Sequence, residues 1–222
     1  MNLASLHHPA EDTLLRHAAG TLPPGRSLVV AVHLPFCPDC RAVVRLGEAM
    51  GGVLLADLPA AELGPDSLNR TLARLDAPVG QGTLTPEPIA LGQGVPLPEA
   101  LRGLVRPKWR WLAPGISRIT VDVPGRRGAS TAREYAYLLR VAPGTSLPGH
   151  GHHGWEATCV LSGSFTDATG TYGPGDVAET DVGLMHQPVA GTDEACICLI
   201  AWEGRLRMRG LLARLVQPLL GV

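Results

Sequence analysis

The chain has 222 residues, 45% hydrophobic and 18% charged, with a formal net charge of −1. That composition supports a folded core, and the balanced charge gives no basic field for direct contact with nucleic acid. No apolar run approaches the ~20 residues of a membrane span. The opening stretch MNLASLHHPAEDTLL lacks the layout of a secretory leader, which predicts a cytoplasmic address.

The first 75 or so residues read as helices. Leu14, Leu15, Ala18 and Ala19 recur at helical spacing and Gly20 supplies a stop. Pro23 and Pro24 open a second helix, with Leu28, Val29 and Val32 on its apolar side, that reaches His33. A third starts near Pro38 and is expected to fade at Gly51-Gly52; a short fourth covers 67–75. Between Asp76 and Glu99 prolines and glycines accumulate, which predicts a linker over 77–105 separating a helical domain, 1–76, from a second domain, 106–222. From Trp109 the period is two. Segments 117–123, 135–141, 157–161 and 195–201 read as strands separated by Gly/Pro turns, a jelly-roll pattern. The stretch 205–220 mixes Leu and Arg at helical spacing and predicts a helix docked on the barrel. The fold class expected is α+β multidomain: a small all-α module, then an all-β jelly-roll barrel with a C-terminal helix.

The five cysteines are an odd number without a leader, so metal binding is a better first reading than a disulfide framework. His33-Leu-Pro-Phe-Cys37-Pro-Asp-Cys40 is an H-x3-C-x2-C run, and Cys-x2-Cys lets two thiolates reach one tetrahedral ion. His8 is the candidate fourth ligand and His7 its rival. A redox pair at Cys37 and Cys40 is the alternative. A helical domain of this size is marginal without a staple, which favours zinc.

The segments HHPAEDTLLRHAAGTLPPG and VVAVHLPFCPDCRA resemble the zinc-binding domain of ChrR-type anti-sigma factors. The resemblance implies one structural zinc on His8, His33, Cys37 and Cys40. It also implies a heterodimer in which the helical module clamps a sigma factor of the extracytoplasmic-function type.

A second group follows. Gly144 to Gly163 fits G-x5-H-x-H-x3-E-x6-G, and His150, His152 and Glu156 share strand parity, so all three are expected to point into the barrel. His153 has the opposite parity. His186, in a G-x2-H core, is the expected last ligand, although Asp181 and Ala190 depart from the second cupin motif. Three His and a carboxylate suit Zn, Fe, Mn or Ni alike. The resemblance continues through REYAYLLRVAPG, ACICLIAW and RLRMRGLLARLVQPLLG. It implies a second zinc here, two per chain, and a cupin domain needed for the response to singlet oxygen.

Cys196 and Cys198 flank Ile197 and face one side, either as small packing residues or as an oxidisable pair. Cys159 is expected to face away from the metal, Met185 to fill a gap, and Trp109 and Trp111 to pack on the barrel. Arg205, Arg207, Arg209 and Arg214 read as a solvated face. Two functions compete: a regulator that releases its sigma factor under oxidative stress, and a cupin dioxygenase with an accessory zinc module. No catalytic acid–base pair is identifiable, which with the resemblance favours the regulator.

Overall fold

The computed structural model describes residues 5–76, 90–123, 134–180, 183–204 and 206–208. Four helices come first: α1 (Glu11–Ala18), α2 (Pro24–His33), α3 (Pro38–Ala56) and α4 (Ser67–Asp76). Proline at the start of α2 and α3 suits a position whose N–H has no helical partner. The expected stop at Gly51-Gly52 does not hold, since α3 runs on through Val53 to Ala56. Two glycines weaken a helix by about 1 kcal/mol each without forcing a break. Gly47 lets α3 approach α1 closely, because a Cβ there would lie 2.9 Å from the Ala18 Cβ.

The second half is built from antiparallel strands. β1 (Ala90–Gly92) and β2 (Val95–Pro96) form a hairpin, followed by a 3-10 turn at Glu99–Leu101. Then come β3 (Arg110–Ala113), β4 (Ile116–Thr120), β5 (Glu134–Val141), β6 (His150–His152), β7 (Glu156–Ser162), β8 (Phe165–Asp167), β9 (Gly170–Tyr172), β10 (Val177–Thr180), β11 (Val189–Ala190), β12 (Cys196–Glu203) and β13 (Leu206–Met208). A six-stranded sheet has the order β10-β7-β12-β5-β4-β3, facing a smaller β11-β8-β9 sheet and the pair β13-β6.

The large sheet is buried on both faces. Leu139, Val141, Val160, Cys196 and Cys198 look inward with Phe165 and Tyr172 of the small sheet. Leu138, Ala157, Cys159, Ile197, Leu199 and Ala201 look outward and are covered by Leu28, Val29 and Val32 of α2. Alternation between two buried faces explains why β7 reads as a continuous buried run.

Two sequence expectations change here. The second half of the expected 77–105 linker is folded: Leu91, Leu97 and Leu101 are buried in the core that α2 shares with the sheet. Proline and glycine there serve a tight hairpin and a helical turn rather than an extended tether. The expected helix over 205–220 begins instead as β13, paired with β6 at 206–208; the remainder lies outside the described residues, as do Arg205, Arg209 and Arg214. Trp109 packs as expected, its Nε1 donating to the Leu91 carbonyl at 3.0 Å, whereas Trp111 is 75% exposed.

Candidate metal centres

Among the described residues, two groups of side chains bring donor atoms within 4.8 Å of one another: His8, His33, Cys37 and Cys40, and separately His150, Glu156 and His186. Both are able to hold a metal ion.

In the first group α2 ends on His33 and α3 begins after Cys37, so the short loop between them sets the spacing. The Cys40 N–H donates to the Cys37 sulfur at 3.3 Å, capping the first turn of α3. The His8 Nδ1 lies 3.3 Å from the Cys37 sulfur and 3.5 Å from that of Cys40. His33 donates from Nδ1 to the Gly175 carbonyl at 2.7 Å, which leaves Nε2 as the lone-pair nitrogen. That atom is buried without a hydrogen-bond partner. Burial lowers the His33 pKa, so the ring is neutral, the form a metal requires. Burial, reinforced by the Cys37 sulfur, pushes the Cys40 thiol up to about 12. A thiolate there needs a cation, and two sulfurs with two imidazole nitrogens match tetrahedral zinc. His7 is not part of the group: its ring turns to Asp176, 3.3 Å away, and lies tilted against Tyr172 with ring centroids 4.5 Å apart.

In the second group β6 and the segment at His186 exchange backbone hydrogen bonds, His150 N–H to His186 carbonyl at 3.0 Å and the reverse at 2.9 Å. The two rings thus meet with Nε2 atoms 3.2 Å apart. His150 donates from Nδ1 to the Pro148 carbonyl at 2.8 Å, and His186 from Nδ1 to Asp167 at 2.9 Å. Both Nε2 lone pairs therefore face each other, with Glu156 oxygens at 3.9 Å from His150 and 3.7 Å from His186. Three electron-rich atoms converging in a buried site fit a divalent cation. The side chain of His152 lies outside the described residues, while its backbone sits in β6 two residues beyond His150. His153 is exposed, as parity predicts.

Asp167 escapes a motif search because it sits in β8, between the two cupin motifs, yet it fixes the His186 tautomer. Burial works against the charge of Asp167, but hydrogen bonds from Thr169 and His186 outweigh it and hold the carboxyl below its usual range. Gly151 is equally required, since a Cβ there would lie 2.9 Å from the Leu184 carbonyl oxygen and 2.8 Å from the Met185 sulfur. Cys196 and Cys198 line the same cavity as the second group, a space of about 550 Å³ counting its open mouth. The hydrogen bond with Cys196, then burial, keep the Cys198 thiol well above its ordinary value and hence protonated. Cys159 points to the outer core, away from the metal, as expected.

The model of the ChrR cupin-like domain matches residues 104–204. The anti-sigma-E factor ChrR of Cereibacter sphaeroides is 36% identical over 219 residues, spanning 96% of each chain. This chain belongs to the ChrR family of anti-sigma factors. The crystal structure of Rhodobacter sphaeroides SigE in complex with the anti-sigma ChrR superposes with a TM-score of 0.70 at 35% identity, covering 88% of this chain and 98% of that one. Membership in the ChrR family makes the chain a regulator, and the dioxygenase alternative gives way. No helix among the described residues is long and apolar enough to cross a membrane.

Proposed function

We propose that the chain sequesters a sigma factor of the extracytoplasmic-function type as a heterodimer, in the cytoplasm, and releases it when the cupin senses singlet oxygen or a related oxidant. The carrying observation is the apolar face of α3 and α4. Leu46, Met50 and Leu54, then Leu68, Leu72 and Leu75, recur at helical spacing, and each is close to or more than half exposed. Unburied apolar surface on this scale marks a protein-binding face. The relative crystallised with SigE supplies the class of partner. Helices 1–76 are the clamp and 106–222 the sensor, joined through 77–105.

Zinc is the proposed metal at both centres. At the first, His8, His33, Cys37 and Cys40 close a four-coordinate structural site. At the second, His150, His152, Glu156 and His186 would supply the ligands. Neither centre is assigned a catalytic residue.

The test mixes purified full-length chain with an extracytoplasmic-function sigma factor of the same organism. A one-to-one complex on size exclusion and silenced transcription from the cognate promoter are expected. Transcription that continues with saturating chain, for every such sigma factor of that organism, overturns the proposal.

A further inference from the structure

The β9–β10 turn, Gly173 to Asp176, belongs to the cupin yet touches the surroundings of the N-terminal metal centre on three sides. The Asp176 Oδ1 accepts from the backbone of Leu6 at 2.6 Å and of His7 at 3.0 Å, immediately before His8. Oδ2 accepts from Gly173 N–H at 2.9 Å and faces the His7 ring at 3.3 Å. The Val177 N–H donates to the His7 carbonyl at 3.0 Å, so His7 is held on both sides of its backbone. The Gly175 carbonyl receives the His33 Nδ1 proton at 2.7 Å. Phe36, next to Cys37, rests on Gly175, where φ is +91° and an added Cβ would lie 2.9 Å from the Phe36 Cβ.

We infer that this turn positions the N-terminal metal site, with Asp176 as the positioning residue, so that the helical module's grip on its ion depends on the cupin. The inference rests on the metal reading of His8, His33, Cys37 and Cys40. His33 needs its Nδ1 proton fixed to present Nε2, and the cupin carbonyl fixes it. Leu6 and His7, just before His8, lie in no helix, and α1 starts only at Glu11. Asp176 replaces that missing support. Burial opposes its charge, but the N–H donors of Gly173, His7 and Leu6 outweigh burial and hold the carboxyl below its ordinary range. The β8–β9 pair connects to the second centre: Tyr172 in β9 packs at a tilt against the His7 ring, and its partner β8 carries Asp167, which orients His186. One hairpin and its turn therefore serve both metal centres.

The test uses the full-length zinc-loaded chain in excess chelator, following alkylation of Cys37 and Cys40 by mass spectrometry. Asp176→Asn, which places an amide against the Gly173 N–H, is expected to speed exposure of both thiols about tenfold or more, the usual cost of losing an outer-shell partner. Cupin-bound zinc should remain. Glu179→Gln is the control. Glu179 also ties the helices to the cupin, through Ala10 N–H at 2.8 Å and Arg26 at 2.9 Å, but its side chain contacts neither a ligand of the N-terminal centre nor that ligand's immediate neighbour. It should stay close to wild type. Cobalt substitution gives a second readout, since the thiolate-to-cobalt absorption should change in D176N alone. Equal rates in wild type and D176N, or equal acceleration in D176N and E179Q, overturn the inference. If D176N also sheds the cupin zinc, His7→Ala decides in its place. It should accelerate thiol exposure about threefold by removing one contact to the same carboxylate, and an unchanged rate overturns the inference. Thiols that alkylate at once in the zinc-loaded wild type would instead defeat the metal reading itself.

Discussion

Cys40 carries the clearest chemical consequence at the scale of single residues. Its thiol is raised to about 12 by burial, so it is protonated at neutral pH without a metal, whereas His33 is lowered and already neutral. Zinc binding must therefore expel at least the Cys40 proton. Each expelled proton makes apparent affinity rise about tenfold per pH unit through the neutral range. Calorimetry in buffers of different ionisation enthalpy should show this release, and a pH-independent affinity would contradict the assignment. Replacing Cys37 and Cys40 together with Ser should remove one zinc per chain and melt α1 to α3, since structural zinc supplies about 10–16 kcal/mol in small modules. Elemental analysis and helical circular dichroism check both halves of that statement. In the cupin, Asp167→Asn should weaken metal binding about 10–100-fold by freeing the His186 ring, measured by chelator competition against wild type.

Among the elements, α2 and α3 divide the labour of the helical module. α2 gives Leu28, Val29 and Val32 to the sheet, each worth about 1.5–3 kcal/mol relative to exposure. The first half of α3 packs through Cys40 and Val44, while its second half and α4 leave their leucines in solvent. Those are the side chains that a partner would desolvate. Leu54→Asp combined with Leu72→Asp should weaken sigma binding at least about thirtyfold, the scale of one buried hot spot. Zinc content and melting temperature should stay unchanged, because neither side chain packs on the protein's own core. Titration by fluorescence anisotropy checks the affinity, and a wild-type value would place the interface elsewhere.

Across the whole molecule, Leu14, Leu22, Val30, Cys40 and Val44 form a cluster among the helices, while α2 also gives Leu28, Val29 and Val32 to the outer core of the sheet, so α2 links the two halves. A change at the cupin metal therefore has a physical route to the helices, through β8, β9 and the following turn. Allosteric release needs the cupin to make different contacts in its holding and releasing states. Converting His150 and Glu156 to Ala should empty the cupin centre and leave sigma inhibition in place, because the α3–α4 face is built independently. Induction under a photosensitiser should fall at least about fivefold, the lower end of ordinary coupling energies. A sigma-dependent reporter in cells measures it, and full induction in this variant would remove the sensor role.

Local rules are enough to read much of this chain. The H-x3-C-x2-C run needs only helix-end geometry to bring Cys37 and Cys40 together with His33. Strand parity separates His150 and Glu156 from His153 and Cys159. Periodicity places four helices and the principal strands, because side-chain direction within one element follows from its own backbone. Other features depend on neighbours distant in sequence. The choice of His8 over His7 is made by Asp176, which captures the His7 ring from 169 residues away. The folding of 90–105 is decided by α2 and the sheet, which offer a core to Leu91, Leu97 and Leu101; a Pro- and Gly-rich stretch does not announce its burial. Asp167 supports His186 only because β8 crosses the small sheet beside it, so no spacing within either cupin motif points to it. The sequence by itself determined most of the elements and brought forward His33, Cys37, Cys40, His150, Glu156 and His186 as candidate donors, since their spacing is short-range. Only the tertiary structure decided that the His7 and His186 rings both lean on the β8–β9 hairpin, since that depends on how two buried faces of a single sheet are covered.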